Sequence, residues 1–116
     1  MTLHERQVGD VTILDVEGRI AVQDGVDILR GVVRQFFALS RVKLVFNLEH
    51  VPYIDSTALG EIVRAHTSAI RRGGGLKLLH VSGRVRELLR ITKLLPVFDL
   101  IDDEADAVKS FGSRHH

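Results

Sequence analysis

The chain has 116 residues, and its 16 Lys and Arg residues nearly balance 15 Asp and Glu residues, giving a formal charge of +1 with histidine neutral. That length suits one domain, and 45% hydrophobic with 27% charged residues is typical of a globular protein. The near-neutral balance argues against direct nucleic-acid binding, and the lack of cysteine excludes disulfides and thiolate metal sites. The charged first residues do not resemble a signal peptide and no apolar run could span a bilayer, so we expect no membrane association and a cytoplasmic location.

Two strands and a helix are predicted in the N-terminal part of the chain. Alternating apolar residues over 11–17 indicate a strand that ends at Gly18, and a weaker strand precedes it across a Gly9-Asp10 turn. Between Asp24 and Ser40, apolar residues recur at three- and four-residue steps, which predicts an amphipathic helix with Asp24 as its N-cap. The apolar stripe of this helix comprises Ile28, Leu29, Val32, Val33, Phe36 and Leu39.

The rest of the chain alternates strands with helices. Residues 42–48 have the continuous apolar character of a buried parallel strand. A helix should begin at Asp55 or Ser56 and end at the glycines 73–75. The remaining predicted elements are a strand over 76–81, a helix from Ser82 that Pro96 closes, a strand over 97–101 and a helix from Asp102.

This order of elements predicts an α/β domain. Strand–helix–strand connections of this length favour parallel pairing with right-handed crossovers, and the N-terminal hairpin adds an antiparallel pair. We therefore expect a single domain over residues 1–112, with a mixed four- to five-stranded sheet and about four helices packed on it, followed by a disordered tail over 113–116.

The sequence gives little support for catalysis or for metal binding. Its histidines before the tail lie far apart and form no HExxH pair. The glycines 73–75 lack the Walker spacing and follow a helix instead of opening one, so they indicate a turn. Ser56 is not part of a GxSxG nucleophile elbow. We predict no enzyme activity, no cofactor and no metal.

The junction between the buried strand and the second helix carries three small polar residues, Asp55, Ser56 and Thr57. Either Asp55 or Ser56 alone would suffice as an N-cap. The motif also places an accessible hydroxyl at a helix N-terminus, where a kinase could reach it and free N–H groups could accommodate a phosphate. A purely structural role for Ser56 as the cap remains an alternative at this point.

The stretch 46–60, Phe-Asn-Leu-Glu-His-Val-Pro-Tyr-Ile-Asp-Ser-Thr-Ala-Leu-Gly, resembles the central motif of STAS domains, the anti-sigma factor antagonists (anti-anti-sigma factors) of bacteria. Further similar segments lie at 14–20, 73–78, 85–89 and 92–98. The resemblance covers nearly the whole chain and agrees with the predicted order of elements, so the domain is expected to be STAS-like.

The resemblance implies a partner-switching protein of transcription regulation. Members of the family bind an anti-sigma factor, often also a serine kinase, and thereby free the sigma factor; phosphorylation releases the anti-sigma factor and a phosphatase resets the switch. Ser56 falls on the phosphorylated serine of the family, and Thr57 occupies a second hydroxyl position. The partner-binding residues that the resemblance implies are Asp24, Asp55, Ser56, Thr57, Ala58 and Leu59.

The chain departs from the family pattern at three positions. Thr57 and Ala58 replace the usual Ser-Gly, and Ala21 stands where the family has an acid near the phosphorylation site, for which Asp24 could substitute. The alternative function is a non-switching STAS scaffold or the regulatory subunit of a transport system, in which Ser56 would serve only as a helix cap.

Overall fold

A mixed five-stranded sheet forms the centre of the protein. The structure, a computed structural model, describes residues 1–20 and 22–112, with only the backbone given for residues 22–24 and 112. The strands are β1 (Thr2–Val8), β2 (Val11–Glu17), β3 (Lys43–His50), β4 (Gly75–Leu79) and β5 (Leu100–Ile101). They lie side by side in chain order, with β1 antiparallel to β2 and every other neighbouring pair parallel. The predicted α/β fold with a mixed sheet is confirmed.

Helices pack on both faces of this sheet. They are α1 (Val22–Ala38), α2 (Ser56–Arg71), α3 (Gly83–Ile91) and α4 (Glu104–Gly112). The main core lies between the sheet and the first three helices and includes Leu14, Leu29, Phe36, Phe46, Ile62, Leu78 and Leu89. The smaller core under α4 comprises Val11, Ile13, Val45, Leu79, Ala107 and Phe111. Alternate residues of one strand serve the two cores because successive side chains point to opposite faces.

The predicted N-terminal hairpin is confirmed. Val8 pairs with Val11, so Gly9 and Asp10 form a two-residue turn. Gly9 has a positive φ of 61°, which the tight turn requires and which glycine adopts without a steric cost.

The first helix differs from its prediction at both ends. It begins at Val22, so Asp24 already has helical backbone and cannot be the N-cap, whose backbone is non-helical. It ends at Ala38, because Ser40 adopts a left-handed φ of 61° that stops the helix. The predicted stripe is therefore too wide: Ile28 and Leu39 are exposed. The buried seam consists of Val26, Leu29, Val33 and Phe36.

The predicted strand over 97–101 is mostly wrong. Residues Leu95–Val97 form a 3-10 helix with Pro96 in its first turn, and only Leu100 and Ile101 pair as a strand. Phe98 between them is buried and packs its ring 5.0 Å from that of His66.

The boundaries of the last two α-helices also differ from the sequence prediction. Helix α3 ends at Ile91, before Pro96 is reached. Just after the helix, Lys93 has a left-handed φ of 63°, which turns the chain. Helix α4 begins at Glu104 instead of Asp102, and the carboxylate of Asp103 accepts the N–H of Asp106 at 3.0 Å. Ala21 and the tail 113–116 lie outside the described residues.

Candidate functional site

The polar motif lies at the edge of the sheet where the parallel strands end. Two loops meet there, one after β2 and one after β3. The N–H of Ile20 donates to the carbonyl of Tyr53 and the N–H of Asp55 donates to the carbonyl of Ile20, both at 3.3 Å. The N–H of Gly18 donates to the carbonyl of His50 at 2.9 Å. These bonds hold the start of α2 against the loop that leads into α1.

The loop before α2 is anchored by apolar side chains. Val51 and Ile54 are fully buried, and the N–H of Val51 donates to the carbonyl of Leu48 at 3.0 Å. Tyr53 between them is 36% exposed, and the guanidinium of Arg84 lies 5.1 Å from the centre of its ring. Because Arg84 belongs to the first turn of α3, this cation–π contact adds a third element to the edge of the site.

Asp55 is the N-cap of α2. Its backbone is extended, with φ −93° and ψ 177°, and its carboxylate accepts the N–H of Ala58 at 2.8 Å. Its carbonyl accepts the N–H of Leu59 at 2.9 Å, the first hydrogen bond of the helix. The carboxylate of Asp55 thus makes the side-chain cap of the helix, and the serine beside it is not needed for this purpose.

Ser56 and Thr57 are exposed on the first turn of α2. Within the described part of the chain, neither hydroxyl makes a hydrogen bond to another residue, and neither backbone N–H finds an acceptor. Two hydroxyls and two free amides therefore face outward at the positive end of the helix macrodipole, an arrangement suited to an anion.

The other residues that were predicted to bind a partner lie at different positions from the exposed Ser56 and Thr57. Ala58 and Leu59 are buried in the main core, so they support the first turn from beneath instead of presenting side chains to a partner. Asp24 lies in the first turn of α1, and its side chain lies outside the described residues. The sequence analysis missed the Tyr53–Arg84 contact, because Arg84 lies far along the chain and only the fold brings it to this loop.

The described residues, 1–20 and 22–112, contain no cluster of three or more His, Asp or Glu side chains arranged to hold a metal ion. No helix in that part of the chain is both long enough and apolar enough to cross a membrane.

Comparison with known proteins identifies the fold and a family. The model of the STAS domain family matches residues 4–107. The structure resembles that of a candidate anti-sigma factor antagonist from Thermotoga maritima, with a TM-score of 0.88 and 24% identity over 95% of this chain and 94% of the other.

Three further structures share the fold. The anti-sigma factor antagonist SpoIIAA in its unphosphorylated form has a TM-score of 0.83 at 17% identity, over 99% of this chain and 100% of that one. The Bacillus cell fate determinant SpoIIAA in its phosphorylated form has a TM-score of 0.74 at 16% identity, over 94% of this chain and 98% of that one. A sulfate transporter family protein from Wolinella succinogenes has a TM-score of 0.77 at 21% identity, over 91% of this chain and 88% of that one.

Proposed function

Because this chain belongs to the STAS domain family, we propose that it is an anti-sigma factor antagonist whose binding to an anti-sigma factor is switched by phosphorylation of Ser56. In the unmodified state the surface around Ser56 and Thr57 binds the anti-sigma factor and frees the sigma factor. The phosphorylated protein releases its partner, and a phosphatase restores the unmodified state. The anti-sigma factor itself, acting as a serine kinase, is the proposed enzyme; it would transfer the γ-phosphoryl group of ATP to the Ser56 oxygen, with release of ADP and of the hydroxyl proton.

The observation that carries this proposal is the division of roles between two adjacent residues. Asp55 caps the helix, while the neighbouring hydroxyl of Ser56 is exposed and free of hydrogen bonds to the described residues. A kinase needs an accessible hydroxyl that can be modified without breaking a structural contact, and Ser56 meets both requirements. Thr57 meets them too and is a second candidate site.

A phosphate on Ser56 should leave the domain folded. It would add about −1.5 to −2 charge at pH 7. The helix macrodipole and the free amides favour an exposed anion by about 0.3–1 kcal/mol, and repulsion from the Asp55 carboxylate opposes this through solvent and salt. The two effects are of similar size and both are exposed to water, so the net change in folding free energy is small.

The partner interface should be affected far more strongly than the fold. A dianionic group that enters a protein interface loses its water, and an unpaired buried charge there costs about 2–5 kcal/mol. That penalty weakens a complex by about 30-fold to several-thousand-fold. The switch therefore acts through charge and steric fit at the contact surface, without unfolding of the antagonist.

Incubation with ATP and candidate kinases from the source organism, followed by intact mass and peptide mapping, tests the modification site. We expect the mass of one phosphate group, located on Ser56, and no modification of the Ser56→Ala variant. Ser82 provides the internal control, because its hydroxyl caps α3 by accepting the N–H of Val85 at 3.2 Å and should stay unmodified. Phosphate confined to sites outside Ser56 and Thr57 would contradict the proposal.

The second candidate function is a STAS module that regulates a transporter, which the shared fold with the Wolinella succinogenes protein supports. In that case Ser56 would carry no phosphate under any of the kinases, and the protein would bind a membrane transporter instead of an anti-sigma factor. Affinity purification from the source cells would distinguish these two partners.

A further inference from the structure

A groove of about 290 Å³ runs between α1 and α2, away from the phosphorylation motif. Its floor is formed by the buried side chains of Val33 and Ala65 and by the half-buried ring of Phe37. Glu61, where the groove begins, is five residues beyond Ser56, which corresponds to about 7–8 Å along the helix. The groove is thus a neighbouring but separate surface.

Positive charge dominates the walls of this groove. Four arginines line it, and Glu61 is the one carboxylate among its lining residues; the arginines are Arg30, Arg34, Arg64 and Arg72. The carboxylate is already engaged, because Arg30 donates to its Oε1 from Nε at 3.1 Å and from Nη2 at 2.9 Å. The excess of three positive charges exceeds the +1 formal charge of the whole chain, so it reflects local concentration and not overall composition.

Two of these arginines lack a carboxylate partner. Among the described residues, no Asp or Glu lies within ion-pair distance of Arg34 or Arg72. The guanidinium of Arg72 lies 4.5 Å from the centre of the Phe37 ring, which holds this cation over the groove. Arg64 is 75% exposed and lies 3.8 Å from the same Oε1 of Glu61, too far for a strong hydrogen bond.

We propose that this groove binds an acidic helical segment of a partner protein. Arg30 and Arg34 are one turn apart on α1, while Arg64 lies on α2 and Arg72 is the C-cap of that helix, about two turns further on. Acidic side chains spaced by four residues on an incoming helix repeat about every 6 Å, which matches the interval between Arg30 and Arg34, and every second one matches the interval between Arg64 and Arg72. Such a helix can set its carboxylates against the two rows of guanidinium groups, which bind carboxylates through paired hydrogen bonds.

The same features disfavour a nucleic acid in the groove. Single-stranded nucleic acids bind through bases stacked on exposed aromatic rings, but the Phe37 ring is covered by Arg72. The floor is apolar, and it suits the aliphatic side chains that lie between carboxylates on a helix.

A synthetic peptide tests this inference with purified full-length protein. The probe is a helix of about 15 residues with glutamate at every fourth position on an alanine background, a length at which such peptides begin to be helical. The control peptide carries glutamine in place of glutamate. Fluorescence anisotropy gives the affinity at low and physiological ionic strength, and NMR chemical-shift mapping locates the contact. We expect saturable binding of the acidic peptide alone, with shifts centred on the groove and an affinity that falls with salt.

Matched variants give the decisive comparison. Arg34→Gln and Arg86→Gln each remove one exposed cation, the first inside the groove and the second on α3. Arg34→Gln should weaken binding about fivefold, while Arg86→Gln should leave it unchanged. Equal weakening by Arg34→Gln and Arg86→Gln would overturn the inference. The inference would also be overturned if the glutamine peptide bound as tightly as the glutamate peptide. The same holds if a single-stranded oligonucleotide of the same charge bound the groove as tightly as the glutamate peptide.

Discussion

The carboxylate of Asp55 accepts the backbone N–H of Ala58 at 2.8 Å, so the acid and not the neighbouring serine caps helix α2. The sequence left both residues as candidates for this role. With the cap assigned to Asp55, the hydroxyl of Ser56 has no structural contact to lose when it is modified. The proposed switch depends on this arrangement, and stability measurements can test it.

Asp55→Ala should lower the free energy of unfolding by about 1–2 kcal/mol, because it removes an N-cap. Ser56→Ala should change it by less than about 0.5 kcal/mol, as is usual for an exposed side chain without contacts. Urea denaturation measures both, and Ser82→Ala, which removes the cap of α3, provides a positive control. A loss of more than about 1 kcal/mol in Ser56→Ala would show that the serine has a structural role.

Gly74→Ala should destabilise the protein by about 1–3 kcal/mol through overpacking. A Cβ added at Gly74 would lie 2.0 Å from the backbone carbonyl oxygen of Val42, which is itself bonded to the N–H of Gly75. Gly31→Ala is the matched control, because it lies inside α1 with nothing within 4 Å of its added Cβ. It should stabilise the protein by about 0.5–1 kcal/mol, and thermal unfolding would reveal the opposite signs.

Acid should destabilise the protein through the ion cluster that joins β1 to α4. Arg6 donates to Asp15 from Nε at 2.6 Å and to Glu104 from Nη2 at 2.7 Å. Hydrogen bonds from Arg6 lower the pKa of both carboxyl groups, and Asn47 adds to this at Asp15. Since both pKa values lie below their ordinary values near 4, the unfolded chain takes up protons first, and stability is lost as the pH falls from about 5 through the folded pKa values.

Arg6→Gln should flatten this acid dependence and lower stability at pH 7 by about 1 kcal/mol, a modest value because the pairs are partly exposed and screened. Urea denaturation at a series of pH values measures both effects. The exposed pair Arg90–Glu87 supplies the control, and Arg90→Gln should have almost no effect on stability. An acid profile of Arg6→Gln identical to that of the wild type would contradict this assignment.

His66 should make the folding stability depend on pH in a higher pH range than the Arg6 ion cluster does. Burial lowers the pKa of its imidazole, and the charge of Asp99 opposes this effect only in part. Its Nδ1 is buried without a hydrogen-bond partner among the described residues. Because the folded pKa lies below the unfolded value near 6.5, stability is complete above that pH and declines as the pH falls from about 6.5 towards the folded pKa.

His66→Leu should remove this decline while keeping the apolar contact with Phe98. Thermal unfolding at pH 5 to 8 gives the comparison, and His50→Gln, at an exposed position, should keep the wild-type profile. The interpretation fails if the profile of His66→Leu matches that of the wild type between about pH 5 and pH 6.5.

The strands and helices with strong local patterns could be predicted from the sequence. The alternation of apolar residues in 11–17 predicted β2, and the apolar run in 42–48 predicted β3. Both patterns arise because the apolar side chains of these strands are buried on the faces of the sheet. The sequence also predicted a strand over 97–101, but the bounds of β5 could not be predicted in this way, since its two residues are defined by pairing with Leu78 and Leu79. The exposed position of Ile28 likewise depends on how α1 is rotated against α2, which local spacing does not determine.

The candidate site was predictable where it is continuous in sequence and not where it is assembled by the fold. Asp55, Ser56 and Thr57 are adjacent, so their place at the start of α2 follows from the motif. The contact of Arg84 with Tyr53 and the arginine-lined groove join separate helices and loops. The relative positions of those elements depend on tertiary packing, so these contacts could be found only in the structure.

The most direct test of the proposed switch is the affinity for the purified anti-sigma factor, measured by isothermal titration calorimetry on unmodified and Ser56-phosphorylated protein. Thr67→Glu, which places a new charge at an exposed position elsewhere on α2, controls for charge alone. We predict tight binding of the unmodified protein and of Thr67→Glu, and at least about 30-fold weaker binding of the phosphorylated form. Equal affinity of the phosphorylated and unmodified proteins would contradict the account.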